Sequence, residues 1–322
     1  MVNLAEALNL PRLDDDLGLV ESALERAVTA EDPFLTEVAG HLVKAGGKRL
    51  RPALLVATAL TAVPEVTDGV IRGGVAVELV HLGSLYHDDV MDEASVRRGV
   101  QSVNARWGNL VAILAGDFLL ARASEIAAGL GTEVAALLAA TIGRLCEGQI
   151  GELQAVFTTD RSEDAYLAAI AGKTAALMST ACRIGGITAE LSRDEIESLT
   201  NLGRCFGMAF QIVDDLLDLV STDEELGKPV GHDLVEGVYT LPVIRALAMP
   251  EVGDELRALL GAPLALPERE KARAIVRASG GVEAAAGVAR RFADQAASFA
   301  TAVPGADALG GLGHALIDAL PC

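Results

Sequence analysis

Aromatic side chains are scarce in this chain. They make up 3% of its 322 residues, with a single Trp. Positive charge is scarce too: 26 Lys and Arg against 45 Asp and Glu leave a formal net charge of −19 at pH 7. So acidic a chain is ill suited to nucleic acid, whose phosphate backbone needs clustered Lys and Arg. It is equally ill suited to docking by charge on anionic membranes. Cys146, Cys182, Cys205 and Cys322 are related by no C-x-x-C or other ligand spacing. They read as small buried hydrophobes, with Cys322 incidental, in keeping with a reducing compartment. The most apolar stretch, LVAILAGDFLLARA, is broken by Asp117 and is too short to span a bilayer. The start, MVNLAEALNLPRLDDD, has neither the basic nor the apolar region of a signal peptide. A cytoplasmic protein without an integral membrane segment is expected. Strand-like alternation, fixed-period repeats and low-complexity linkers are lacking. So are H-E-x-x-H, G-x-S-x-G, the Walker A motif and the dinucleotide-binding glycine pattern.

What is abundant is Ala, Leu, Val and Gly, in a chain that is 51% hydrophobic. Ala and Leu are strong helix formers. Apolar residues at three- and four-residue steps predict helices over 14–30, 34–45, from Pro52, over 69–92, 109–129, 131–155 and 161–190, and from Asp194 onward. Residues 97–108 and 221–237 read as loops, and an Ala-rich amphipathic segment follows Pro242. The expectation is an all-α, single-domain helical bundle over 1–322, with acid-bearing helices facing each other across a central cavity.

Those acids come as DDxxD, once at Asp88-Asp89-x-x-Asp92 and again at Asp214-Asp215-x-x-Asp218. Residues four apart share a helix face, with Cβ atoms roughly 5–6 Å apart. Asp88 and Asp92 therefore point together, as do Asp214 and Asp218. The first run also closes its helix at the end unfavourable to anions. A solvated charged face is the bland reading of such runs. Both, however, follow apolar sequence, ELVHLGSLYH and GMAFQIV, and carboxylates in apolar surroundings need a partner. A hard divalent cation with oxygen ligands is the natural one.

The few cations gather beside these runs. GGKRLRP at 46–52 sets Lys48, Arg49 and Arg51 next to a glycine pair, and Arg97-Arg98 follows the first DDxxD directly. Lys173 and Lys228 stand alone elsewhere. Together they suggest two bound anionic groups beside metal ions. His81 lies two helical turns before Asp88. A lone helical His is usually a core residue, and that is the default reading; the company of Lys48, Arg51 and Arg98 would make this one a phosphate ligand.

GGKRLRP, HLGSLYHDDVMDEASVRRG, GDFLLARA, GKTAALMSTAC, FQIVDDLLD and YTLPVI occur in that order between positions 46 and 244. In this set the chain resembles the trans-isoprenyl diphosphate synthases, also called polyprenyl synthetases. The resemblance implies an all-α homodimer that joins an allylic diphosphate, farnesyl or geranylgeranyl diphosphate, head to tail to isopentenyl diphosphate. It implies Mg²⁺, three ions per site, with Mn²⁺ as an alternative ion. Asp88, Asp92 and Asp214 would ligate the metal, supported by Asp89, Asp215 and Asp218. Lys48, Arg51, His81 and Arg98 would hold isopentenyl diphosphate, and Arg97, Lys173 and Lys228 the allylic diphosphate. Thr174 and Gln211 would face the allylic cation, and the released pyrophosphate would take the proton. One departure stands out: where relatives often read GKYTLP, this chain reads GVYTLP, with Val238 replacing a cation. Weaker allylic binding, not loss of activity, is the expectation.

Product length follows from the residues ahead of the first acids. Short-chain members of the family tend to carry bulky aromatics there; here Gly83 and Ser84 stand in their place. Ala127 and Ala128 on a neighbouring helix are expected to add space by the same logic of small side chains. A long product, hexaprenyl to decaprenyl, is expected. The alternatives are a short-chain farnesyl or geranylgeranyl diphosphate synthase, a class I terpene cyclase, and an inactive regulatory subunit. GGKRLRP with His81 argues against the cyclase, and two intact DDxxD runs argue against the inactive subunit.

Overall fold

A computed structural model describes residues 7, 8, 10, 12–222 and 230–321. The early helices are α1 (Leu13–Ala27), α2 (Pro33–Ala39), α3 (His41–Lys44), α4 (Leu50–Ala59) and α5 (Asp68–Met91). After a hairpin come α6 (Val103–Trp107), α7 (Asn109–Leu130), α8 (Thr132–Leu153) and α9 (Glu163–Ile170). A single π-helical turn, Ala171–Ala175, leads into α10 (Ala176–Thr188) and α11 (Arg193–Val220). Then follow α12 (His232–Glu236), α13 (Leu241–Leu247), α14 (Gly253–Leu259), α15 (Leu266–Ala278), α16 (Gly281–Ala300) and α17 (Asp307–Asp318). The architecture is helical, as expected, and most of the expected helices are present with shifted ends.

Local chemistry explains the long helices. The Thr67 hydroxyl accepts from the Val70 N–H to start α5. Ser192 and Glu195 form a reciprocal capping box on α11. α5 packs most extensively on α7, and α11 on α10 and α16. Small residues make the α10–α11 contact possible: a Cβ on Gly203 would lie 2.8 Å from the Met178 carbonyl oxygen, and one on Gly207 2.6 Å from Ala175 Cα. The main apolar core runs through α1, α4, α5, α7, α10, α11 and α16. A second cluster, built on Leu234, Tyr239, Val243, Leu256 and Val276, joins α12–α15 to the end of α11 through Leu219.

The structure corrects the sequence reading in several places. The 97–108 loop contains a two-residue antiparallel ladder, β1 (Val96–Arg97) and β2 (Val100–Gln101), pairing Val96 with Gln101 and Arg97 with Val100. Arg98 and Gly99 turn it at φ 54° and 75°, the positive values that a tight hairpin demands. The expected 161–190 helix is interrupted by the π turn at Gly172-Lys173-Thr174. The expected 34–45 helix breaks at Gly40, and the expected 221–237 loop contains α12. Cys182 and Cys205 are buried, but Cys146 is exposed on α8. Among the described residues no helix is long and apolar enough to cross a membrane.

Candidate active site

The first acidic run closes α5. Asp92 caps the helix, its N–H donating to the Asp88 carbonyl. Burial, with Asp92 and Glu152 nearby, pushes the Asp88 carboxyl up to about 6 against the pull of Lys173 and Arg97. Asp89 turns the other way. Its side chain is fully buried, and Oδ1 accepts from Arg97 Nε at 2.6 Å. Asn104 Nδ2 donates to its carbonyl at 2.8 Å. Asp89 thus anchors the hairpin and does not stand among the exposed carboxylates. Its pairing holds the Arg97 side chain beside the Asp88–Asp92 face.

The second run lies near the C-terminal end of α11. Asp215 is enclosed, with Oδ2 accepting from Tyr166 Oη at 2.5 Å and Oδ1 from Gln211 Nε2 at 2.8 Å. Thr174 Oγ1 donates to Gln211 Oε1 at 2.6 Å. The chain Thr174–Gln211–Asp215–Tyr166 therefore ties the π turn to α11 and α9. Burial pushes the Asp215 carboxyl up to about 7, although Tyr166 and Gln211 pull it down. Asp218 is buried, and its Oδ2 accepts from the Asp233 N–H at 3.3 Å. Asp215 and Asp218 are thereby engaged with protein donors. Asp214, on the same helix, is half-buried.

Lys173 and Glu152 stand between the two runs. Lys173 Nζ donates to Glu152 Oε2. The Lys173 charge acts on Asp88 and Asp92, and the Glu152 charge on both Asp88 and Asp215. The acidic ends of α5 and α11 thus share one electrostatic neighbourhood, as the sequence predicts. The π turn supplies the geometry. A Cβ on Gly148 would lie 2.4 Å from the Lys173 N, and one on Gly172 2.6 Å from the Arg144 carbonyl oxygen. Two glycines let α8 press against the turn that carries Lys173 and Thr174.

The basic group forms a second half. Glu78, 1% exposed, accepts from Arg49 Nη1 at 2.9 Å and lies 3.7 Å from Arg98 Nη2. Arg49 also binds both oxygens of Glu21, at 2.6 and 2.7 Å, and the Val43 carbonyl at 3.1 Å. It therefore organises the loop and is not a free anion ligand. These bonds hold it at φ 45°, which costs roughly 1–2 kcal/mol for a side-chain-bearing residue. Arg98 donates to the carbonyls of Leu42 and Gly46. Gly47 sits at φ 149°, a conformation that side-chain-bearing residues rarely adopt, and it lies beside the Arg98 guanidinium.

His81 and Arg51 are half-buried beside this knot. Burial, then Arg51, Arg98, Arg49 and Arg97, hold the His81 ring well below its usual value, so the imidazole is neutral. Burial also lowers Arg51, to about 10, leaving it cationic near neutrality. The structure thus gathers Arg51, His81 and Arg98 at one place, with Lys48 exposed on the same loop. Lys228 lies outside the described residues. Val238 is half-buried, directly after the turn at Gly237.

The two small residues ahead of the acids differ. A Cβ on Gly83 would lie 3.1 Å from the Gly116 carbonyl oxygen and 3.1 Å from Leu120 Cγ. Gly83 is thus a packing position between α5 and α7. Ser84 is half-buried, one turn before Asp88, with its hydroxyl on the His81 carbonyl at 2.8 Å. Ala127 is buried, whereas Ala128 is exposed and lines no interior space.

Do these residues suit Mg²⁺? Among the described residues no cluster of three or more His, Cys, Asp and Glu surrounds one point. Mg²⁺ commonly takes only one or two carboxylates, completing its shell with water and substrate phosphate oxygens. Asp88 and Asp92 offer hard oxygens close enough for the Asp92 charge to raise the Asp88 carboxyl. The donor set fits Mg²⁺ held jointly with a diphosphate. Below about pH 6 the ion must displace the Asp88 proton. Apparent Mg²⁺ affinity should therefore weaken as pH falls through about 6. Titrating Mg²⁺ at about pH 5.5 and about pH 8 checks this, and equal affinities would contradict it.

Comparison with known proteins places the geometry. The family model described as Polyprenyl synthetase matches residues 32–277. Nonaprenyl diphosphate synthase of Mycobacterium tuberculosis is 39% identical over 318 residues, covering 97% of this chain and 94% of that protein. The crystal structure of a decaprenyl diphosphate synthase from Rhodobacter capsulatus superposes with a TM-score of 0.89 at 33% identity, covering 99% of each chain. Geranylgeranyl pyrophosphate synthase from Corynebacterium glutamicum, complexed with calcium and isoprenyl diphosphate, gives 0.84 at 39% identity, covering 95% of this chain and 96% of that one.

Proposed function

The chain belongs to the polyprenyl synthetase family, and we propose that it is a Mg²⁺-dependent trans-prenyltransferase that extends an allylic diphosphate with isopentenyl diphosphate to a long-chain product. The observation that carries this reading is the pairing of two site halves: the acids around Lys173 and the Arg51–His81–Arg98 group beside Glu78. One half suits a metal-bound diphosphate, the other a second anion held without metal.

Asp88, Asp92 and Asp214 would hold the ions. Mg²⁺ held there would supply positive charge against a departing diphosphate. Lys173 and Arg97 add fixed positive charge at the same place, where leaving-group charge grows. Arg51, Arg98 and Lys48 hold the diphosphate of the attacking alkene, and neutral His81 contributes a hydrogen bond. Thr174 and Gln211 present oxygen dipoles toward the developing allylic cation. Tyr166 and Asp215 fix that pair, since Asp215 orients Gln211 and Gln211 receives the Thr174 hydroxyl. Lys228 is assigned to the allylic diphosphate by its motif alone.

The test is consumption of isopentenyl diphosphate by the purified chain with Mg²⁺ and farnesyl diphosphate. A cyclic hydrocarbon released without isopentenyl diphosphate would instead identify a cyclase. Product length rests on the small residue at Ser84, with the two long-chain relatives in support. Ser84→Phe should shorten the main product by several isoprene units, read by chromatography of the dephosphorylated alcohols. An unchanged distribution would remove Ser84 from the length control. Gly83→Phe is a poorer probe, because it wedges α5 from α7.

We further propose a homodimer through the outer face of α7. Leu110, Ile113 and Leu114 are 79%, 40% and 67% exposed there. Three large apolar side chains within little more than one turn form a patch that a second copy would cover. Leu114→Glu should convert the dimer to monomer in sedimentation, and an unaltered dimer would place the contact elsewhere.

A further inference from the structure

A cavity of about 470 Å³ lies behind the active site, bounded by α8, α9, the π turn, α10 and α11. Its lining is sharply divided. Gly148, Gly151, Gly172 and several alanines make a smooth apolar floor. Arg144 from α8 and Arg204 from α11 stand at the walls, with Glu147 as the acid and Ser179 as the hydroxyl. Both arginines are exposed. Neither guanidinium has a hydrogen-bond or ion-pair partner among the described residues. Arg26, Arg277 and Arg291 are likewise without an ion pair among the described residues, so what sets Arg144 and Arg204 apart is that both line one cavity. Two unpaired guanidiniums above an apolar floor suit a particular ligand class. It has a phosphate-like head for the arginines and a short apolar body for the floor.

The floor is mechanically joined to the catalytic turn. A Cβ on Gly148 would run into the backbone N of Lys173, so the two backbones are closely packed, and Gly172 directly precedes Lys173. Glu152, the partner of Lys173, lies one helical turn beyond Gly148 on α8. Both members of that ion pair are therefore attached to the cavity wall. The π turn is a backbone register that can differ locally from the α form, so pressure on the wall has a discrete element to act on.

We propose that this cavity is a second ligand site, taking an amphiphilic phosphate and altering turnover through the Lys173 turn. The proposal rests on the active-site reading only for its second part. n-Octyl phosphate is the probe, and inorganic phosphate the control. Calorimetry without Mg²⁺ silences the metal-dependent half of the active site, and the cavity variants separate this cavity from the Arg51–His81–Arg98 group, which holds an anion without metal. The wild-type chain should bind octyl phosphate there. Arg144→Ala/Arg204→Ala and, separately, Ala168→Leu, which fills the floor at an exposed position, should weaken binding by about ten-fold or more. With Mg²⁺ and substrates, octyl phosphate should lower kcat of the wild type in a manner that neither substrate relieves. Both variants should keep basal activity and lose that component.

Absence of Mg²⁺-free binding, or equal binding in wild type and variants, overturns the site. Equal binding of inorganic phosphate overturns the amphiphile class. Binding with only substrate-competitive inhibition overturns the coupling. A chain that binds octyl phosphate as described yet consumes no isopentenyl diphosphate would sink the prenyltransferase reading and leave the site standing.

Discussion

Asp88→Ala is expected to lower kcat by about 10²–10³-fold, the scale seen when a preorganised charge-stabilising group is deleted. Asp88 is half-buried at the end of α5, and its ionised form is disfavoured by that burial and by Asp92 and Glu152. Its carboxylate is therefore an electrostatic liability to the fold. Linkage gives the sign: a carboxyl whose folded value is raised contributes stability at low pH that is lost as pH rises through about 6. Removing it relieves that cost near neutrality, so Asp88→Ala should unfold no earlier than the wild type at about pH 8. Loss of turnover with preserved thermal stability would assign Asp88 to chemistry. Activity within about three-fold of wild type, at saturating Mg²⁺, would remove it from the metal site.

The second large effect is structural. Glu78→Gln should cost about 3–5 kcal/mol, the range for breaking a buried ion pair by removing one partner. Glu78 faces Arg49 at 2.9 Å and Arg98 at 3.7 Å, and is almost wholly enclosed. Gln keeps the shape but leaves both guanidiniums short of their counter-charge. Arg49 retains Glu21, itself 35% exposed, which places the loss at the lower end of that range. The GGKRLRP loop should loosen with it, raising the KM for isopentenyl diphosphate more than that for the allylic substrate. Denaturant unfolding and the two KM values check the prediction. A loss under about 1 kcal/mol, or equal change in both KM values, would mean that Glu78 does not organise this half.

The acidic runs were legible because like charges at helical spacing in apolar sequence have few physical explanations. The helices were legible because Ala and Leu recur with the right period. Glu78 was not, although the signal existed: a lone acid in VAVELVHLG, three residues before His81. Its meaning depends on Arg49 and Arg98, which are distant in the chain. Arg49 was grouped with phosphate ligands because composition cannot separate a cation that organises a loop from one that awaits an anion. Glu152 and Tyr166 were missed for a related reason. Each gains its role from one partner, Lys173 or Asp215, supplied by another helix.

The π turn left little trace in the pattern of side chains, since it is a change of backbone register. Only Gly148 and Gly172 hint at it, and their contact is a tertiary fact. The hairpin is too short for alternation to reveal, although Arg98-Gly99 is a fair turn signal. Gly83 shows the limit of reading cavity depth from size alone. A small side chain can mean open space or, as here, a neighbouring helix pressed close.

Product length is the most direct measurement of the whole account. The purified chain, given Mg²⁺, farnesyl diphosphate and excess isopentenyl diphosphate, should accumulate all-trans products of hexaprenyl to decaprenyl length. A product that stops at geranylgeranyl diphosphate would contradict the long-chain reading, and no consumption of isopentenyl diphosphate would contradict the prenyltransferase itself.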